Sequence, residues 1–280
     1  MTVLLQVSDP HFGTERPPVV AALERFAQEL QPDVLLLSGD ITQRATHAQF
    51  RAARAFVDRL SVPVLIAIPG NHDIPLFNPA ARLFAPYGHF QRAFGRELEP
   101  QFEDDEVLIL ALNTTRWYRH ADGEVSALQV ERVARQLERA QSSQWRIVVV
   151  HQPVAVTREQ DRGNVLHGHE AAVRRWAAAG ADLIVGGHIH LPFVLALNGR
   201  WPHLPRAVWA VQAGTAVSHR VRADAGNSVN VIRVGTAARA AEAVDDAAPR
   251  CCAVERWDHI AATQRFERAS AHLLRAAHGA

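Results

Sequence analysis

The chain has 280 residues, 48% apolar and 21% charged, which suits one large globular domain or two small ones with a real buried core. Its 30 basic and 29 acidic residues balance to +1, which argues against a grip on nucleic acid through bulk positive charge. Every basic residue is Arg, so chemistry that needs a lysine Schiff base or a P-loop lysine is excluded. The opening MTVLLQVSDPHFG has no basic n-region and is interrupted by Asp9, so it does not read as a signal peptide. No apolar run is long enough to cross a bilayer. The two cysteines, Cys251 and Cys252, are neighbours, which does not suit a disulfide, and a reduced, cytoplasmic setting is expected.

In chain order, Val3–Val7 predicts a buried strand that stops at Ser8-Asp9-Pro10-His11. Val19, Val20, Leu23, Phe26, Ala27 and Leu30 then share one helical face. Val34–Leu37 predicts a second strand, ending at Ser38-Gly39-Asp40. Thr46 with Gln49 has the form of a capping box, and Phe50, Phe56, Val57 and Leu60 follow at helical spacing. Val64–Ile68 is a third strand before Pro69-Gly70-Asn71-His72-Asp73. Residues 75–100 are looser, with a helix near Ala80–Ala85. Strands are expected at Val107–Leu112, Arg146–Val150 and Leu183–Val185, with helices at Leu128–Leu137 and Glu170–Ala179. The pattern then turns β-rich at Pro192–Leu197, Ala207–Val211 and Val229–Val234. Residues 236–250 are expected to loop out, and 252–258 with 264–268 to form a last hairpin. Without an internal repeat or clear linker, the expectation is one domain over 1–280, with a core over 1–235 and a tail and hairpin over 236–280.

Five short stretches at strand ends carry metal-ligating side chains: Asp9-x-His11, Gly39-Asp40, Gly70-Asn71-His72-Asp73, His151 and Gly187-His188-x-His190. Any one of them is weak. Five in succession, each after an apolar strand, are not explained by chance. Such ends are where open α/β sheets bind ligands. If strand geometry persists, Asp9 and His11 point the same way, as do His188 and His190. Asp40 offers two oxygens and can bridge. Carboxylate, amide and imidazole together suit Mn, Fe, Zn or Ni, and the absence of thiolate argues against a structural zinc site.

This order of motifs closely resembles the calcineurin-like binuclear metallophosphoesterases, over Asp9 to about His190. The resemblance implies that Asp9, His11 and His190 hold one metal, that Asn71, His151 and His188 hold a second, and that Asp40 bridges them. It implies a catalytic His72 on the substrate side, oriented by Asp73, with His11, Asn71, His72 and His190 meeting the substrate. The implied fold is an α/β four-layer α/β/β/α sandwich of two mixed sheets flanked by helices; the strand pattern alone would also allow a doubly wound sheet. The implied reaction is in-line attack on phosphorus by hydroxide held between two metals, Mn, Fe or Zn.

Within that family the chain looks like the class III cyclic-nucleotide phosphodiesterases. It is short, keeps His72 in its Gly-Asn-His-Asp motif, and carries Ala213–Arg220 and Asn227–Asn230 after the last ligand. The expected substrate is a small phosphodiester such as cAMP, with other diesters or monoesters as the alternative and a non-catalytic scaffold a distant third. Neither a nucleic acid polymer nor a membrane is expected as a partner, and a homodimer is left open.

Other features have blander readings. His167 and His169 flank Gly168 in the manner of a loop and helix cap. His219 and Arg220 either meet a phosphate or base, or belong to a solvated loop. Phe77, Phe84, Tyr87, Phe90 and Phe94 read better as local packing than as a base-stacking cap, and Trp117 and Tyr118 share that ambiguity. Asp104–Glu106 reads as a solvated turn, and Arg174-Arg175 as a helix face.

Overall fold

A run such as Val34–Leu37, apolar at every position, can be buried on both faces only inside a layered sandwich. A computed structural model describes residues 1–235 and 250–276, and it has that arrangement. One sheet contains β1 (Thr2–Val7), β2 (Val34–Ser38), β3 (Val64–Ile68), β10 (Ser228–Val234), β11 (Cys251–Ile260) and β12 (Arg265–Arg275), in the order β12-β11-β10-β1-β2-β3. The other contains β4 (Gln101–Glu103), β5 (Val107–Ala111), β6 (Trp145–Val149), β7 (Leu183–Gly186), β8 (Phe193–Ala196) and β9 (Trp209–Gln212), in the order β4-β5-β6-β7-β9-β8. Strands β1, β2 and β3 run parallel, as do β5, β6, β7 and β9; the outer pairings are antiparallel.

Helices cover the two outer faces. On the first sheet lie α1 (Pro17–Leu30) and α2 (His47–Leu60), whose Leu23, Phe26, Phe50 and Phe56 pack on Leu5 and Leu37. On the second lie α5 (Ala127–Arg139) and α6 (His169–Ala179), whose Val133, Leu137, Val173 and Trp176 pack on Leu110, Val148 and Ile184. Between the sheets, Leu4, Leu36 and Ile68 meet Ile109, Ile147, Val185 and Val211. The expected four-layer α/β/β/α sandwich is therefore present. The capping box at Thr46 forms as predicted, with Gln49 closing it.

Two short elements escaped the sequence pattern. Helix α4 (Gly88–Phe94) follows α3 (Pro79–Phe84), yet it buries only Phe90, which stacks edge-on against Phe50. One buried side chain leaves no helical period to read. Strand β4 has three residues, too few for an alternation. The final hairpin is present and longer than predicted, completing the first sheet beside β10. The expected loop at 236–250 lies, apart from Arg250, outside the described residues. Burial pushes the Cys252 thiol well up, which removes its nucleophilic form. The acidic turn is structural: Asp104 accepts from Glu106 N and Val107 N and from the Thr2 hydroxyl at 2.8 Å, tying the sheets together.

Toward one end of the sandwich the apolar layer gives way to amides. Gln6 donates to the Ser38 hydroxyl (3.1 Å) and to the Gly186 carbonyl of the facing sheet (2.9 Å), and Asn230 donates to Gln6 (2.8 Å) and to the Gln212 carbonyl (3.3 Å). This buried network sits beneath the loops that carry the candidate ligands.

Trp176 joins α6 to α5 by filling the core and donating from Nε1 to the Val130 carbonyl (3.2 Å). Trp176→Ala should destabilise the fold by about 3–5 kcal/mol. Denaturant titration should show a lower midpoint at an unchanged slope.

Candidate metal centre

Loops after five parallel strands converge at one end of the sandwich. Asp9 and His11 follow β1, Asp40 follows β2, and Asn71 and His72 open a 3₁₀ turn after β3; His151 follows β6, while His188 and His190 follow β7. The strand alternation expected for Asp9 with His11, and for His188 with His190, does not carry through. Both strands end before these residues, and Asp9 (φ 51°), His11 (46°), Asp40 (48°), His188 (73°) and His190 (54°) are all left-handed. Such backbone costs of order 1 kcal/mol or more per residue and has to be imposed by its surroundings. Here Asp9 N donates to the Gly39 carbonyl and His11 N to the Asp40 carbonyl, both at 3.1 Å. Glycine is needed at two close approaches. A Cβ on Gly39, itself at φ 95°, would strike the His151 ring, and one on Gly187 would strike the Ser8 hydroxyl and the Asp9 carboxylate.

The side chains fall into overlapping groups of potential ligand atoms: Asp9, His11 and His190; His11, Asp40 and His72; and Asp40, His151 and His188. Asp40 stands between the outer two. Its Oδ2 is 3.8 Å from His11 Nε2 and its Oδ1 is 3.3 Å from His151 Nε2. Asn71 Oδ1 also lies 3.3 Å from His151 Nε2. All seven predicted ligands are thus drawn together, and His188 and His190 go to different groups.

Hydrogen bonds from Nδ1 turn the other ring nitrogen of two histidines inward. His151 donates from Nδ1 to the Ser38 carbonyl (2.9 Å), and His190 donates from Nδ1 to the Arg220 carbonyl (2.6 Å). His190 Nε2 then faces His11 Nε2 at 3.0 Å. Two imidazole nitrogens at that distance need a proton or a cation between them. Asp9 Oδ2 accepts from Ser8 and from His188 N, while Asp9 Oδ1 and His188 Nδ1 are buried with no hydrogen-bond partner among the described residues. Orphaned buried atoms of this kind, in an all-oxygen-and-imidazole set, fit metal ions.

The charge states of two of the histidines agree with that use. Burial lowers His11 to about 3 and His188 to about 4, which keeps both imidazoles in the neutral, ligating form. Burial opposes the charge on Asp9, but His190 and His151 outweigh it and lower the carboxyl to about 2. Asp40 is likewise held well below the usual carboxylate range by His151, against its own burial. Burial also disfavours the charged form of His151, yet Asp40 beside it raises the imidazole to about 9.

The structure gives Asp73 different partners from those expected. Its carboxylate accepts from Gly70 N, Ile41 N, Thr42 N and the Thr42 hydroxyl, clamping the loops after β2 and β3 to each other. Burial, with the Asp40 charge nearby, pushes this carboxyl up to about 7. The His72 ring is oriented instead by the Gln43 carbonyl, to which Nδ1 donates (3.0 Å). Its Nε2 meets the Arg220 guanidinium at 3.1 Å. Gln43 therefore reaches the site without having been assigned to it, while the sequence reads Arg220 as either meeting a phosphate or base or lying in a solvated loop. The sequence placed Arg220 in a pair with His219, and the pair divides: His219 is exposed, Arg220 turns inward.

The remaining candidates lie elsewhere. His169 opens α6 after Gly168 and stacks near Trp201, and Arg174 and Arg175 pair with Glu170, Glu131 and Glu138 on helix faces. Phe90 and Phe94 are packing residues, whereas Phe77, Phe84, Trp117 and Tyr118 are exposed. No helix among the described residues is long and apolar enough to cross a membrane.

A Synechococcus sp. protein named as a probable cyclic nucleotide phosphodiesterase is 35% identical over 81 residues, which is 26% of this chain and 31% of that relative. The chain thus matches about a third of that protein's length. A dimetal phosphatase from Danio rerio superposes with a TM-score of 0.64 at 12% identity, covering 99% of both chains. The yellow lupin (Lupinus luteus) purple acid phosphatase PPD1 superposes at 0.67 and 12% identity, over 98% of this chain and 53% of that one. At such identity these two show a shared fold. The sequence profile of the calcineurin-like phosphoesterases matches residues 2–192, which include every loop that carries a candidate ligand. With more than half its length inside that profile, the chain belongs to the calcineurin-like phosphoesterase family.

Proposed function

We propose that this protein is a phosphodiesterase using two metal ions, from among Mn, Fe and Zn, to hydrolyse a small phosphodiester, with a 3',5'-cyclic nucleotide such as cAMP as its substrate. The observation that carries this reading is Asp40, a single buried carboxylate whose two oxygens turn to different histidine groups. The partial likeness to the Synechococcus protein supports the cyclic-nucleotide choice.

Asp9, His11 and His190 would hold one ion, Asn71, His151 and His188 the other, and Asp40 both. When bound, such ions lower the pKa of water and offset charge on phosphoryl oxygens. The chain's own residues do the rest. Carbonyls of Ser38 and Arg220 fix which nitrogen His151 and His190 present. His72, with Nδ1 committed to Gln43, turns Nε2 to the substrate side; in its doubly protonated form it would donate from Nε2 to a phosphoryl oxygen or pass that proton to the leaving oxygen. Asp73 keeps the loops of Asp40 and His72 in register.

Elemental analysis should find two metal ions per chain in fully loaded protein. Loaded protein assayed on cyclic AMP, cyclic GMP, an aryl diester and an aryl monoester should prefer the diesters; preference for the monoester would overturn the substrate assignment.

Asp40→Ala should be the most damaging ligand change, lowering metal content and turnover together. A variant that retains both ions and near-normal turnover would remove the bridging role.

His72→Ala should keep both metals and lose roughly 10²–10³ in kcat, the usual cost of one oriented donor. Unchanged kcat with two metals bound would take His72 out of the mechanism.

A further inference from the structure

We propose that Arg220, steadied by Gln43, is an anion-binding residue of this centre that takes a phosphate oxyanion of the substrate on the His72 side. The proposal rests on the phosphoester reading above and adds a residue beyond 2–192, the part matched by the family profile.

Arg220 NH1 lies 3.1 Å from His72 Nε2, 3.1 Å from Gln43 Oε1, and 3.4 and 3.5 Å from the two ring nitrogens of His11. None of these partners is a carboxylate. Among the described residues Arg220 forms no ion pair, although acids pair with the arginines around it: Arg222 with Asp161 at 2.9 Å, and Arg158 with Asp224. A half-buried guanidinium without a carboxylate partner, at the edge of a phosphoester centre, has its charge free for a ligand. Among the described residues only NH1 makes hydrogen bonds, so the rest of the planar fork remains for oxyanion recognition.

The backbone beneath this side chain is fixed from several directions. Arg220 N donates to the Ser218 hydroxyl (3.1 Å), and its carbonyl accepts from His190. Asn227 holds the Ser218 carbonyl (2.7 Å), and the Thr215 hydroxyl donates to the Asp9 carbonyl (2.6 Å). The loop that delivers the guanidinium is thus tied to the loop that delivers a metal ligand, which pre-organises the charge over the site. Because His190 bonds to the main chain of Arg220, the side chain can be removed without removing that bond.

The test uses the full chain loaded with metal, with inorganic phosphate as the probe. Titration calorimetry should show Arg220→Ala weakening phosphate by about ten- to a hundred-fold, the effect of a lost charge-assisted hydrogen bond. Metal content should stay at the wild-type level. Arg220→Lys, which keeps the charge and loses the fork, should fall between. Arg220→Gln carries the same test if circular dichroism shows the alanine variant misfolded. Wild-type phosphate affinity in the variants, no phosphate binding by the wild type, or loss of metal from Arg220→Ala would each overturn the proposal. Failure of the protein to hydrolyse cyclic nucleotides would sink the substrate assignment and leave the phosphate result standing.

Discussion

Two carboxylates, Asp9 and Asp40, are buried almost completely among histidines, and the architecture of the centre answers that one constraint. Burial alone favours the protonated acid. The histidines reverse it, and they can do so only because loops from both sheets bring them within ion-pair distance. Asp9 and Asp40 come from one sheet; His151, His188 and His190 come from the other. The electrostatics of the site therefore also bind the two sheets at this end, and separating the sheets would leave buried charge without a partner.

The layer beneath explains why the site lies where it does. Along β1, Leu4 sits in apolar contact between the sheets, Gln6 bridges to the facing sheet through its amide, and Asp9 lies just past the strand end. The interior passes from apolar to hydrogen-bonded to ionised within a few residues. Each step is satisfied by the facing sheet. Asp73 extends the same logic, taking four donors so that the loops of Asp40 and His72 cannot drift relative to each other.

Most of this was legible in the sequence. Uniform apolar runs ending in polar, ligand-bearing turns marked the parallel strands, and the order of the motifs led to the family and its two-sheet sandwich. The ligand grouping came from that resemblance; the strand-alternation reasoning beside it was mistaken in mechanism, because left-handed turns, not pleats, aim Asp9, His11, His188 and His190. Helix α4 and strand β4 bury too little to leave a periodic trace. The partners of Asp73 and the inward turn of Arg220 depend on contacts between loops far apart in the chain, such as Arg220 with Gln43, and no local pattern encodes them.

The left-handed backbone at the candidate ligands ties strain to charge. At His11, His188 and His190 the main chain holds a conformation that glycine or asparagine adopts more easily. Replacement by such a residue would relax the backbone, yet at His11 it would empty a buried position, and at His190 it would leave Asp9 without the imidazole that offsets its charge. The strained turns are kept by the side chains they deliver, so these loops are held by electrostatics against their local backbone preference.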